Sequence, residues 1–282
     1  MRIIGALALC LVLAGCSALK LAYNNLPDVG YWWLDRYFDF NDAQSVQVRE
    51  EMARLQRWHR QQELPRYIEL LRRTEQMAAG EISSAQACTV ADEGRARLQA
   101  LADEARPALA AIAASFSPAQ LEHVARRYER TNEDYRRDWI DIRPSKRLDK
   151  RLEQYEDRLE SIYGRLTGEQ RAWLRQQLEA SAFDARLVLA ERQRRQADTL
   201  QVLRGLQGRG RTPAESSRQM ANLIERAQWS PDPAMRRYQE QQLQETCRIV
   251  AGLHQRASAE QRAHAQGRLR AYIKDLSELA RS

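Results

Sequence analysis

The chain has 282 residues, 29% of them charged, with 45 Lys and Arg against 38 Asp and Glu, for a formal net charge of +7. Its 12 glycines and 8 prolines are too few for a collagen-like or disordered chain, and its length allows one large domain or two modest ones. Only Lys20, Lys146, Lys150 and Lys274 are lysines, and acidic residues interleave with the arginines throughout, which excludes the concentrated basic stripe that nucleic-acid binding needs. The arginine excess has two readings: guanidinium forks that grip phosphates or carboxylates, or the codon usage of a GC-rich genome.

Residues 1–15 open with Arg2 and an uncharged, mostly apolar run from Ile3 to Ala14. That run is shorter than the ~20 residues needed to cross a hydrocarbon core and suits the h-region of a signal peptide. It closes on Leu13-Ala14-Gly15-Cys16. This resembles a bacterial lipoprotein signal peptide with its lipobox. The resemblance implies cleavage between Gly15 and Cys16, a thioether-linked diacylglycerol on Cys16 and usually a third acyl chain on its amine. Two or more chains make a stable anchor. Ser17, rather than Asp, follows the cysteine, which implies the outer membrane, facing the periplasm. A plain secretory signal with an incidental cysteine is the alternative.

Residues 16–41 form the next unit. Tyr31, Trp32, Trp33, Tyr37, Phe38 and Phe40 crowd into ten residues, punctuated by Asp35, Arg36 and Asp39. Three readings stand. The aromatic face of a helix packs on the rest of the protein; Trp32, Trp33, Arg36 and Tyr37 dock a partner; or the rings sit at a membrane interface. Packing is the preferred one.

Residues 42–282 read as a helical domain, with no run of alternating β-branched residues that would make strands. A helix-start signal recurs through it. The copies are Phe40-Asn41-Asp42-Ala43-Gln44, Ile82-Ser83-Ser84-Ala85-Gln86, Phe116-Ser117-Pro118-Ala119-Gln120 and Leu166-Thr167-Gly168-Glu169-Gln170. Weaker copies follow at Ala257-Ser258-Ala259-Glu260-Gln261 and Thr212-Pro213-Ala214-Glu215. Each sets Gln or Glu three places after a capping residue, which is the capping box. With Gly80, Pro144, Gly164, the 205–210 loop, Pro231 and Pro233 as breakers, helices are predicted at about 42–79, 83–114, 117–142, 145–164, 167–205, 213–228, 233–256 and 258–280. Pro65 and Pro107 are expected to kink or divide theirs. The fold expected is all-α: an elongated antiparallel bundle of about seven to nine helices, with room for two sub-bundles meeting near 143–166.

Of four cysteines, Cys10 leaves with the signal and Cys16 carries lipid. Cys88 and Cys247 remain. An even pair in an oxidising compartment reads as a disulfide, with two separate buried thiols as the alternative.

Catalytic patterns are weak. Gly205 to Thr212 mimics a phosphate loop in spacing, but no strand precedes it. His59, His123, His254 and His264 form no compact zinc pattern. No enzyme activity, metal or cofactor is expected.

Two resemblances add to this reading. The Leu166–Gln170 copy is similar to the Leu-Thr-x-x-Gln repeats of small periplasmic stress proteins of the Spy and CpxP type, which implies a helical chaperone or regulator. The stretches Tyr23-Asn24-Asn25 and Trp33-Leu34-Asp35-Arg36-Tyr37-Phe38, just after Cys16, resemble a proteobacterial lipoprotein family, domain of unknown function 6279. That family implies location and helical fold but no activity. The function expected is a non-catalytic, lipid-anchored envelope protein acting on an unidentified envelope partner as adaptor or structural component. A tethered chaperone is the alternative, and an enzyme with an unrecognised site the third reading.

Overall fold

The computed structural model describes residues 19–207 and 212–282. A helical stretch at 19–24 leads into eleven helices, and the described residues contain no strand. We label them α1 (Leu26–Phe38), α2 (Asp42–Trp58), α3 (Leu64–Met77), α4 (Ser84–Ala114), α5 (Pro118–Tyr135), α6 (Pro144–Tyr163), α7 (Gly168–Glu179), α8 (Ala185–Leu206), α9 (Pro213–Gln228), α10 (Pro233–Arg256) and α11 (Ala259–Arg281). All six repeated signals are helix starts. Asn41, Ser83, Ser117, Thr167, Thr212 and Ser258 each accept the N3 amide, while the N3 side chain accepts the cap's own N–H.

The helices outnumber the seven to nine expected, for local reasons. The helix expected at 42–79 is interrupted by a π-helical turn at His59–Glu63, just before Pro65. There the wider turn absorbs the proline ring and its missing N–H. The helix expected at 167–205 breaks at 180–184. Asp184 caps the amides of Arg186 and Leu187, Glu245 accepts the N–H of Ala182, and the Tyr238 hydroxyl accepts that of Asp184. Pro107, expected to kink or divide its helix, does not divide α4. It lies exposed on the outer side, where water can take the carbonyl it leaves unpaired.

The capping boxes also organise the bundle. Gln44 and Gln120 face each other, each amide donating to the other's Oε1 at 3.4 and 2.7 Å. Gln44 also donates to the Ser115 carbonyl, and Gln120 to the Asp39 carbonyl. The same figure recurs elsewhere. Gln170 and Gln261 exchange bonds of 2.7 and 3.0 Å and donate to the Arg256 and Arg165 carbonyls. In all four cases the accepting carbonyl lies two residues before the facing helix's N-cap.

This repetition relates the helices by a pseudo-two-fold: α1 to α6, α2 to α7, α3 to α8, α4 to the pair α9–α10, and α5 to α11. Packing obeys it. The contact of α3 with α11 answers that of α8 with α5, and α1 on α2 and α5 answers α6 on α7 and α11. The long α4 lies against α9 and α10 across the pseudo-axis. Each end of the bundle therefore has its own core. One gathers Tyr31, Val48, Ile112, Phe116, Leu121, Leu203 and Leu223. The other gathers Leu159, Tyr163, Leu166, Leu174, Leu178, Ile249 and Leu253. Both draw on widely separated parts of the chain, so the bundle closes only when distant helices meet.

Candidate functional site at the first helix

Helix α1 starts with Pro27 in its first turn, where the absent N–H costs nothing. It ends at Asp39, whose N–H still reaches the Asp35 carbonyl at 2.8 Å and whose left-handed backbone turns the following chain out of the helix. The Asp35 carboxylate then accepts the N–H of Phe40, turning the chain into the first capping box.

Its two faces differ sharply. On the inner face Tyr31 is buried and donates to Ser45 Oγ at 2.9 Å, with the Arg49 guanidinium 3.6 Å above its ring. Phe38 stacks on Phe116 at 5.1 Å and on Phe40 at 5.8 Å. At Gly30 a Cβ would lie 2.4 Å from the Met52 methyl, so α1 and α2 approach closely there. On the outer face, Leu26, Val29, Trp32 and Trp33 keep 50, 63, 67 and 59% of their surface exposed. Leu21, in the preceding turn, keeps 66%. Isolated exposed apolar residues are ordinary, but a contiguous stripe on one helix marks an interaction face.

The sequence-level candidates thus divide. Trp32 and Trp33 stand out from the bundle, and the packing expected of the whole aromatic segment holds only for its other rings. Arg36 is exposed, and its carbonyl lies 3.3 Å from His123 Nε2. Tyr37 is half-buried, 4.9 Å from the Trp33 ring and 6.2 Å from that of Tyr128. Leu21, Leu26 and Val29 were missed, although Leu26, Val29 and Trp33 already follow a helical period.

The chain before α1 is fastened down. Gln56 donates to the Tyr23 carbonyl, Arg60 bridges Asn24 and Ser282, and Lys20 pairs with Glu278. The Tyr23 hydroxyl lies 2.9 Å from His59 Nδ1. Burial pushes His59 below the usual imidazole range, against the pull of the Glu63 carboxylate. The unfolded chain therefore takes up this proton first, near pH ~6.5. The contribution is fully present above that pH and is lost as pH falls toward the folded value. Unfolding midpoints at about pH 7.5 and about pH 5.5 should show it, and His59→Gln should reduce the difference.

Gly15 and Cys16 lie outside the described residues, as do residues 208–211 of the loop that mimics a phosphate site. What precedes that loop is helix α8. Cys88 and Cys247 form a disulfide with Cα atoms 5.3 Å apart, joining α4 to α10. His254 is fully buried between the Tyr163 hydroxyl at 3.0 Å and the Gly80 carbonyl at 2.8 Å. His264 lies 2.9 Å from the Ile162 carbonyl, beside Gly164, whose φ of +75° suits glycine alone. The four histidines thus serve separate packing contacts. Among the described residues no group of His, Cys, Asp and Glu could hold a metal, and no helix is long and apolar enough to cross a membrane.

A family model described as a family of unknown function, DUF6279, matches residues 36–234. No curated protein and no solved structure matches the chain.

Proposed function

Since the chain belongs to the DUF6279 family, whose function is unknown, we propose from its own residues that it is a lipid-anchored helical protein of the bacterial envelope. It is held at the outer membrane through acyl chains on Cys16 and faces the periplasm. It acts by contact rather than by chemistry, as an adaptor or structural component for another envelope protein. The observation that carries this reading is the short distance from anchor to stripe. Three residue steps separate Cys16 from the first described helical residue, a reach of about 10 Å at most. Acyl chains on Cys16 would hold that point at headgroup level. The exposed Leu21, Leu26, Val29, Trp32 and Trp33 then meet the interface, where tryptophan is favoured. The bonded Cys88–Cys247 pair suits an oxidising compartment.

Cys16→Ser tests the anchor. Metabolic acyl labelling should disappear and the protein should leave the membrane fraction. Retained labelling would overturn it. Trp32→Ser with Trp33→Ser tests the stripe: the unfolding free energy should stay within about 0.5 kcal/mol, because neither ring packs in a core. Binding of the unacylated Cys16→Ser protein to phospholipid vesicles should fall. A large loss of stability would instead assign the rings to packing.

A second reading, a tethered chaperone, draws on the likeness of Leu166–Gln170 to Leu-Thr-x-x-Gln repeats. The crossed glutamines account for that motif by capping and packing, so the chaperone reading needs its own support. Suppression of client aggregation at stoichiometric amounts would supply it, and no suppression would dismiss it.

A further inference from the structure

Beneath α1, beside the first core, lies a half-open pocket of about 180 Å³. Leu34 and Phe38 on the inner face of α1 roof it, Met52 of α2 lines one side, and Leu203 of α8 lines another. Apart from Thr199, the polar residues around it are Glu51 and Arg54. Its lining is almost wholly apolar, so water inside it finds few hydrogen-bond partners. An apolar void of about 150 Å³ stays dry and accepts benzene.

The pseudo-two-fold shows how the void arises. Ala105, Ala108 and Ala113 of α4 line it. They stand twelve, nine and four residues before the N-cap Ser117. The residues at the same distances before the N-cap Ser258 are Thr246, Ile249 and His254. In that half Ile249 and His254 are buried, at 3 and 0% exposure. Three small side chains therefore line the pocket at positions where the other half carries larger ones.

We propose that this cavity is a binding site for the end of an alkyl chain with a neutral head. The lining selects hydrocarbon. The charges beside it select the head. Arg54 is already paired with both Glu51 and Glu104, so the group carries one net negative charge and repels a carboxylate. The inference goes beyond the anchoring reading and does not depend on acylation.

The test uses the full chain carrying Cys16→Ser in detergent-free buffer, with 1-octanol and octanoate as probes. Methyl NMR follows the methionines, of which Met52 and Met220 line the cavity while Met77 and Met235 do not. Octanol should shift Met52 and Met220 saturably, leave Met77 and Met235 in place, and raise the melting temperature. Octanoate should bind more weakly. Ala108→Ile, which copies Ile249, should weaken octanol binding by about tenfold or more, because the added methylenes occupy the void. Ala105→Thr gives the same test should Ala108→Ile not fold. Absent shifts at Met52 and Met220, or equal octanol affinity in the filled variant, would overturn the site. Octanoate binding as tightly as octanol would overturn the neutral head. Neither result bears on acylation of Cys16, which labelling decides separately.

Discussion

Cys88→Ala with Cys247→Ala should lower the unfolding free energy by about 4–5 kcal/mol, the chain-entropy value for a loop of this length. The bond closes a sequence separation of 159 residues. It joins the first turns of α4 to the middle of α10, across the pseudo-axis where the two halves meet. Its effect lies mostly in the unfolded chain, which it prevents from expanding. Both residues are buried, Cys88 at 7% and Cys247 at 2% exposure, so removing the two sulfurs also leaves a small void that adds to the loss. Guanidinium unfolding of the oxidised protein and the double variant measures the difference. The variant should also show a steeper denaturant dependence, because its unfolded state exposes more surface. Coincident midpoints would mean that the unfolded chain is already compact around this pair, and the prediction would fail.

The cysteine pairing was legible from arithmetic, with an oxidising compartment as the expectation that completed it. Helix starts were legible for a related reason: a capping box is a local object, complete within four residues. Asn41, Ser83, Ser117, Thr167, Thr212 and Ser258 needed no tertiary information. The breaks at His59–Glu63 and 180–184 were not legible. The second depends on Glu245 and Tyr238, which arrive from α10, more than fifty residues away. The faces of α1 were half legible. The stripe of Leu26, Val29 and Trp33 is periodic, but whether it is covered depends on which helices reach it, and none of the described helices does. The cavity was invisible for the opposite reason. Ala105, Ala108 and Ala113 read as good helix formers. Only the match to Thr246, Ile249 and His254 shows that they are the small members of a pair.

The repeated motif itself hides a difference that mutation should expose. Gln86 and Gln120 occupy the same place in two capping boxes. Gln86 is exposed, and its side chain accepts only from its own cap, Ser83. Gln86→Leu should therefore cost about 0.5–1 kcal/mol, the ordinary value of a lost cap interaction. Gln120 is 7% exposed and serves several partners at once. It accepts the Ser117 N–H at 2.9 Å and donates to the Phe38 and Asp39 carbonyls and to Gln44 Oε1 at 2.7 Å. Gln120→Leu keeps the side-chain volume and removes all of these bonds, together with the one its Oε1 accepts from Gln44 at 3.4 Å. It leaves the Gln44 amide, 3% exposed, without its facing partner and strips the end of α1 of a donor. At about 1–3 kcal/mol for a buried polar group left unmade, the total loss should reach about 3–4 kcal/mol. Gln44→Leu should cost a similar amount, and the double variant less than the two together, with a coupling of about 1–2 kcal/mol. Chemical unfolding of the four proteins measures this cycle. Equal losses for Gln86→Leu and Gln120→Leu would show that the box acts only as a local cap. The crossing that relates the two halves would then carry no stability of its own. A larger loss at Gln120 would make the glutamine pair the physical link between a short sequence motif and the way distant helices find each other.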